Sequence, residues 1–225
     1  MSEAALDFNQ YSKQLKQGAE FLGIVLSEAE SSSLLQFLVL LNKWNKAYNL
    51  SAVRNPAEML SRHLLDSLSL MPLLREHRLI APTKPFTVLD VGTGPGLPGI
   101  PLAICMPDTD FLLLDSNGKK TRFVFQACLE LGIKNVEVAN TRIENYQSTR
   151  QVDIVVSRAF ASLVDFALGC EKVADTNTRL IAMKGQYPTQ EITDLAPTWN
   201  VVRTHELQIP DLDGARHLIE LAKKS

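Results

Sequence analysis

The stretch 88–101 reads VLDVGTGPGLPGIP. An acid, Asp90, stands two residues ahead of the first of four glycines, Gly92, Gly94, Gly96 and Gly99. Glycines at this spacing allow positive φ and remove the Cβ atoms that would keep a ligand off the backbone. A second acid, Asp115, closes the next apolar run, FLLLD. Further along, Arg142, Arg158 and Lys184 each follow or end an apolar segment of strand character. These residues together could hold a polar ligand and present it to an anionic partner.

The glycines admit two ligands. Gly94-x-Gly96-x-x-Gly99 fits the dinucleotide fingerprint. The overlapping pattern Asp90-x-Gly92-x-Gly94-x-Gly96 has the form of the S-adenosylmethionine loop of Rossmann-like methyltransferases. An acid beside that loop favours a cationic amino group and gains nothing from a pyrophosphate. Asp115 can accept hydrogen bonds from two ribose hydroxyls, which both ligands carry. The segment Thr141-Arg142-Ile143-Glu144 follows the third expected strand, where backbone groups of Ile143 and Glu144 could read an adenine edge.

A cationic rim does not attract a sulfonium, so Arg142, Arg158 and Lys184 point to phosphates of a nucleic-acid acceptor. Arg62, His63, Lys119, Lys120 and Arg122 extend that footprint, and Phe160 is placed to stack on a base or to join the core. No Asn/Asp-Pro-Pro-Tyr/Phe motif follows the fourth strand, which disfavours an exocyclic base nitrogen as acceptor. No cysteine ends the fourth or fifth strand, which disfavours pyrimidine C5. A guanine N7 needs neither device, because its lone pair points outward and carries no proton. An NAD-dependent oxidoreductase and a non-catalytic RNA-binding module remain as alternatives.

The elements that must position these residues follow from periodicity. Residues 1–83 read as a helical extension. Ser27-x-x-Glu30 has capping-box spacing, and Leu34, Phe37, Leu38, Leu41 and Trp44 follow a helical i, i+3, i+4, i+7 pattern. Asn55-Pro56 opens a further helix, with Leu60, Leu64 and Leu68 on one side and Arg62, His63, Asp66 and Ser67 on the other. Residues 84–225 alternate strand and helix. Strands are expected over 86–91, 111–115, 136–139, 153–157 and 179–184, with helices near 100–106, 119–131 and 163–174. Two more strands, 199–207 and 217–221, flank the turn Asp211-Leu212-Asp213-Gly214 and read as an antiparallel hairpin. The expected fold is α/β: a mostly parallel seven-stranded sheet with helices on both faces.

Composition excludes several classes. The chain has 225 residues, 45% of them hydrophobic, and a net charge of -2. No apolar run reaches the ~20 residues that span a bilayer, and the N-terminus lacks the form of a signal peptide. Three scattered cysteines and no Cys/His cluster make a metal site unexpected. Free thiols suit a reducing cytoplasm.

Seven stretches give the chain a more specific likeness: KWNKAYNL at 43–50, RHLLDSL at 62–68, LDVGTGPGLPGIPLA at 89–103, LDSNGKK at 114–120, SRAFASL at 157–163, KGQ at 184–186 and DGARH at 213–217. In these it resembles the RsmG, or glucose-inhibited division protein B, family of bacterial 16S rRNA guanine-N7 methyltransferases. The resemblance implies a class I Rossmann-like methyltransferase. It would move a methyl group from S-adenosylmethionine to one guanine of 16S rRNA in the small ribosomal subunit, releasing S-adenosylhomocysteine. It implies binding positions at Gly92, Leu97, Ile143, Glu144 and Arg158, and places Arg142 and Lys184 at positions tied to RNA or catalysis. A cytoplasmic monomer without metal is the accompanying expectation. The family often has Lys-Arg where this chain has Lys119-Lys120, so a bidentate contact there is lost.

Overall fold

The computed structural model describes residues 8–80, 85–158, 160 and 162–224. The expected boundary between residues 83 and 84 lies outside the described residues.

Seven strands form one sheet: β1 (Phe86–Val91), β2 (Thr109–Leu114), β3 (Val136–Ala139), β4 (Ile154–Ser157), β5 (Arg179–Lys184), β6 (Trp199–Leu207) and β7 (Arg216–Lys223). Their order is β3-β2-β1-β4-β5-β7-β6. The first five are parallel, and β7 runs antiparallel between β5 and β6. All six residues of β1 are buried, which is why it reads as an apolar run and not as an alternation. The strand order reverses between β1 and β4. The crevice outside the carboxyl ends at such a switch point is where open α/β sheets take ligands.

Alternate residues of each strand serve two cores. Val88, Phe111, Leu113, Ile154, Val156 and Ile181 face one side; Leu89, Val91, Leu112, Val155 and Leu180 face the other. The second core is closed by α8 (Leu163–Gly169), whose Phe166 is fully buried. That helix is shorter than expected, ending at Gly169.

The first core joins α6 (Gly99–Cys105) and α7 (Gly118–Leu131) to the N-terminal helices α1 (Phe8–Phe21) and α2 (Glu28–Tyr48). Leu34, Phe37, Leu38 and Leu41 of α2 are buried, and Trp44 packs its ring 5.6 Å from Phe123 of α7. The capping box forms: Ser27 Oγ accepts the Glu30 amide, and the Glu30 carboxylate accepts the Ser27 amide.

The helix opened by Asn55 departs from the expected two-sided pattern. After α3 (Pro56–Met59) the chain makes a π-helical turn, Leu60–Leu65, before α4 (Asp66–Leu68). A π turn inserts residues into the helical repeat and rotates everything that follows. Leu60, Leu64 and Leu68 are buried, and so are His63, Asp66 and Ser67; only Arg62 of the second group stays exposed. The helical layer continues through α5 (Met71–Ile80).

The Ser27 cap carries a direct prediction. Ser27→Ala leaves the Glu30 amide without its partner and costs about 1 kcal/mol of stability. A lowered urea midpoint at unchanged slope measures it.

Candidate functional site

The glycine loop runs from the end of β1 into α6, and its amides are spent on neighbouring strand ends. Gly92 and Thr93 both donate to the Leu114 carbonyl, at 2.8 and 2.9 Å. The next amide, Gly94, donates to Asp115 Oδ2 at 2.9 Å, and Asn117 donates to Asp115 Oδ1 at 2.8 Å. Gly92, Gly94 and Gly96 have φ of 70°, 60° and 84°, which side chains rarely adopt. Gly99 is required for a different reason: a Cβ there would lie 2.1 Å from Leu113 Cδ2 and 2.9 Å from Asp90 Oδ2.

Asp90 is fully buried beneath this loop. Its Oδ2 accepts the Thr93 hydroxyl at 2.7 Å and the Gly99 amide at 2.9 Å. Its Oδ1 has no hydrogen-bond partner among the described residues. Burial pushes the carboxyl up to about 6, against the pull of these two donors. Asp90 therefore shapes the loop from below and lines neither cavity described next.

The first cavity, about 340 Å³, lies over the ends of β1, β2 and β3. Val91, Leu114, Ile143 and Phe160 give it apolar walls, and Gly92 and Asp115 give it a polar floor. Asp115 is 8% exposed. A carboxylate offers about four acceptor positions; the two backbone donors leave room for two hydroxyls. A flat apolar ring between Ile143 and Phe160 with a diol against Asp115 fits this lining. Lys120, Arg142 and Glu144 edge the same cavity.

The second cavity, about 430 Å³, shares Gly92 with the first. Its walls are Gly94 and Leu97 from the loop, Arg158 after β4, Lys184 and Gly185 after β5, and Arg216 and Asp66. Asp66 Oδ2 accepts Arg158 Nη1 at 2.8 Å, and its Oδ1 accepts Arg216 Nε at 3.1 Å. Lys184 is paired with Glu191 at 2.8 Å and donates to the Phe160 carbonyl at 3.4 Å. Glu191 also accepts the Leu163 amide at 2.8 Å, so this one carboxylate ties β5 to the start of α8.

The site residues read from the sequence thus divide. Gly92, Gly94, Leu97, Asp115, Ile143, Glu144, Arg142, Arg158 and Lys184 all border the paired cavities. The three strand-end cations do not share one cleft: Arg142 edges the first cavity, Arg158 and Lys184 the second. Gly96 lines neither, and its positive φ serves the turn against Ile100.

The expected RNA footprint needs more correction. His63 is 6% exposed because the π turn rolls it inward. Its Nε2 sits 2.8 Å from Ser51 Oγ, and burial pushes its pKa down to about 4, so it carries no charge at neutral pH. Phe160 packs its ring 5.1 Å from Phe166 and lines the first cavity. Lys120 likewise borders the first cavity. Lys119 and Arg122 are exposed, and Arg62 is exposed beside Glu58 at 3.5 Å. Asp66, Glu191 and Arg216 were missed as site residues. Asp66 and Arg216 stand in two of the stretches that carry the family likeness, RHLLDSL and DGARH, and strand-end cations in a buried setting must meet carboxylates. Among the described residues no three His, Cys, Asp or Glu side chains are grouped to hold a metal ion, and no helix is long and apolar enough to cross a membrane.

Known proteins resemble this chain at two levels. The family model described as rRNA small subunit methyltransferase G matches residues 30–219. Ribosomal RNA small subunit methyltransferase G of Pseudomonas syringae pv. tomato is 49% identical over 214 residues, 95% of this chain and 97% of that protein. The protein of the same name from Hahella chejuensis is 44% identical, over 94% of this chain and 93% of its own length. Among solved structures, TrmN from Thermus thermophilus superposes with a TM-score of 0.54 at 17% identity, covering 73% of this chain and 53% of that one. A SAM-dependent methyltransferase from Aquifex aeolicus gives a TM-score of 0.52 at 19% identity, covering 70% and 92%. These two likenesses show the fold.

Two titrations test the buried groups. The carboxyl of Asp90 is raised from 3.8 to about 6, so its favourable contribution is full below 3.8 and is lost as pH rises through 6. The stability of Asp90→Asn relative to the native chain should therefore rise between pH 4 and 7, read as the difference in urea midpoints. His63 is lowered from 6.5 to about 4, so its contribution is present above 6.5 and lost as pH falls through 4. Its imidazole resonances should titrate near 4 in NMR; a midpoint above 6 would restore it as a cation.

Proposed function

The chain belongs to the rRNA small subunit methyltransferase G family, and from that premise we propose that it methylates N7 of one guanine in 16S rRNA, with S-adenosylmethionine as donor. The observation that carries the reading is the pair of cavities meeting at Gly92, one lined for an adenosine and the other walled by guanidinium groups.

In this reading Asp115 receives the ribose hydroxyls and the backbone at Ile143 and Glu144 borders the adenine. Gly92, Gly94 and Leu97 pass the methionine arm toward the second cavity. The donor, when bound, supplies a methyl group on a cationic sulfur. The residues of the chain then have three tasks: to aim a guanine N7 along the line of the methyl and sulfur, to exclude water, and to hold the anionic RNA backbone. No proton leaves N7, so no general base is required. The second cavity is consistent with that, because both oxygens of Asp66, the carboxylate on its wall, are engaged by arginines.

The same reading takes residues 1–83 as a helical extension on a methyltransferase domain at 84–225. It has the enzyme act as a monomer in the cytoplasm, where its ribosomal substrate is, without metal.

The test is transfer of labelled methyl from S-adenosylmethionine to small ribosomal subunits, to naked 16S rRNA and to fragments, followed by mapping of the labelled base. Label on an exocyclic amine, a ribose or a protein overturns the reading. Arg158→Ala should lower kcat/KM by about tenfold or more with the fold intact, since a lost hydrogen bond to a charged group is worth roughly 1.5–3 kcal/mol. RNA affinity should also fall steeply with salt; a flat dependence would remove the guanidinium wall from the interface.

A further inference from the structure

One wall of the first cavity stands on a segment that is held from outside itself. Phe160 follows β4 and lines that cavity together with Ile143. Its ring meets Phe166 of α8 at 5.1 Å. Gly169, the last residue of α8, keeps this packing close: a Cβ there would lie 3.1 Å from Ile143 Cγ2 and 3.4 Å from Phe160 Cζ. The position of the ring therefore depends on where α8 begins and on the backbone at Phe160.

One carboxylate bears on both. The first amides of a helix lack intrahelical acceptors. In α8, Ser162 Oγ accepts the Asp165 amide at 3.0 Å, and Glu191 Oε2 accepts the Leu163 amide at 2.8 Å. Glu191 comes from α9 (Thr189–Thr193), after β5. The same Oε2 takes Lys184 Nζ at 2.8 Å, and that ammonium donates to the Phe160 carbonyl at 3.4 Å. The Lys184 side chain is only 13% exposed, and a cation so enclosed requires an opposite charge. Glu191 supplies the charge and so fixes the ammonium against the Phe160 backbone. The end of β5 is thereby tied both to Phe160 and to the start of α8.

We propose that Glu191 is a positioning residue for the methyl donor: through Lys184 and the Leu163 amide it sets Phe160 as a wall against the adenine. The proposal rests on the reading of the first cavity as the adenosine site. Lys184 itself lines the second cavity, so the pair carries structure from one cavity to the other. Its effect falls on the adenine end of the donor. Arg158 is held separately, by Asp66.

The test uses the full chain with Glu191→Ala and Glu191→Gln and two probes, S-adenosylhomocysteine by calorimetry and adenosine by competition against it. Adenosine lacks the methionine arm. Glu191→Ala should weaken both probes by about tenfold, and by the same factor, as the loss of one well-placed aromatic contact does. Glu191→Gln keeps an oxygen for the Leu163 amide and for Lys184, and should stay within about threefold of the native affinity. A change below about threefold for Glu191→Ala, or a Gln variant as weak as the Ala variant, overturns the proposal. So does a loss confined to S-adenosylhomocysteine, which would place the effect at the methionine arm. If the Ala variant does not fold, Lys184→Met replaces it, and the same parallel loss is expected; unchanged adenosine affinity is then the overturning result. A native chain that binds neither probe refutes the adenosine reading, and the proposal with it. A native chain that binds both, matched by Glu191→Ala, refutes the proposal alone.

Discussion

The carboxyl end of β2 holds the site together. Buried amides must find acceptors, and three successive amides of the glycine loop find theirs there: two on the Leu114 carbonyl and one on the Asp115 carboxylate. The parallel register that sets Val91 beside Leu114 brings those acceptors within reach of the loop. Asp90 completes the arrangement from below, and Gly99 allows α6 to start against it. The two cavities are the spaces left on either side of a loop so fixed. Asp115 shows how economical the arrangement is, because one carboxylate both anchors the loop and floors the first cavity.

The parts of this design that depend on burial or on backbone conformation were legible in the sequence. All seven strands lie where apolar runs and turn residues put them, within two residues at most ends; β1, β2 and β4 are buried along nearly their whole length, which leaves few alternatives in composition. The hairpin of β6 and β7 follows from the turn residues 211–214 between them. The capping box at Ser27 and Glu30 is local chemistry, complete within four residues. The loop glycines are legible because positive φ at three of them, and a missing Cβ at the fourth, suit no other residue. Strand-end cations could be placed on the ligand edge because parallel strands all deliver their carboxyl ends there.

What depended on partner choice was not legible. The helix after Asn55 looked amphipathic at a 3.6-residue repeat, but the π turn changes its phase, turning His63 and Asp66 inward together. One became neutral and the other became the acceptor for two arginines. Asp66 and Arg216 are separated by 150 residues, and no local pattern joins them. Glu191 pairs with Lys184 across a turn and a short helix whose composition marks neither. Phe160 offered two orientations, and the ring of Phe166 on α8 decided between them.

These pairings change what the cationic edge is. A row of exposed arginines and lysines would attract any polyanion and would be screened by salt wherever it lay more than about 10 Å from its target. Here each inner cation of the second cavity is held by a carboxylate, so its head group is fixed before the acceptor arrives. Fixing costs stability elsewhere: Asp66, Asp90 and His63 are polar groups buried where an apolar residue would pack more cheaply. The return is a guanidinium pair fixed on the wall of the cavity beside the loop. A reaction that needs no proton transfer has geometry as its main requirement, and Asp66 brings the helical layer onto the wall of that cavity.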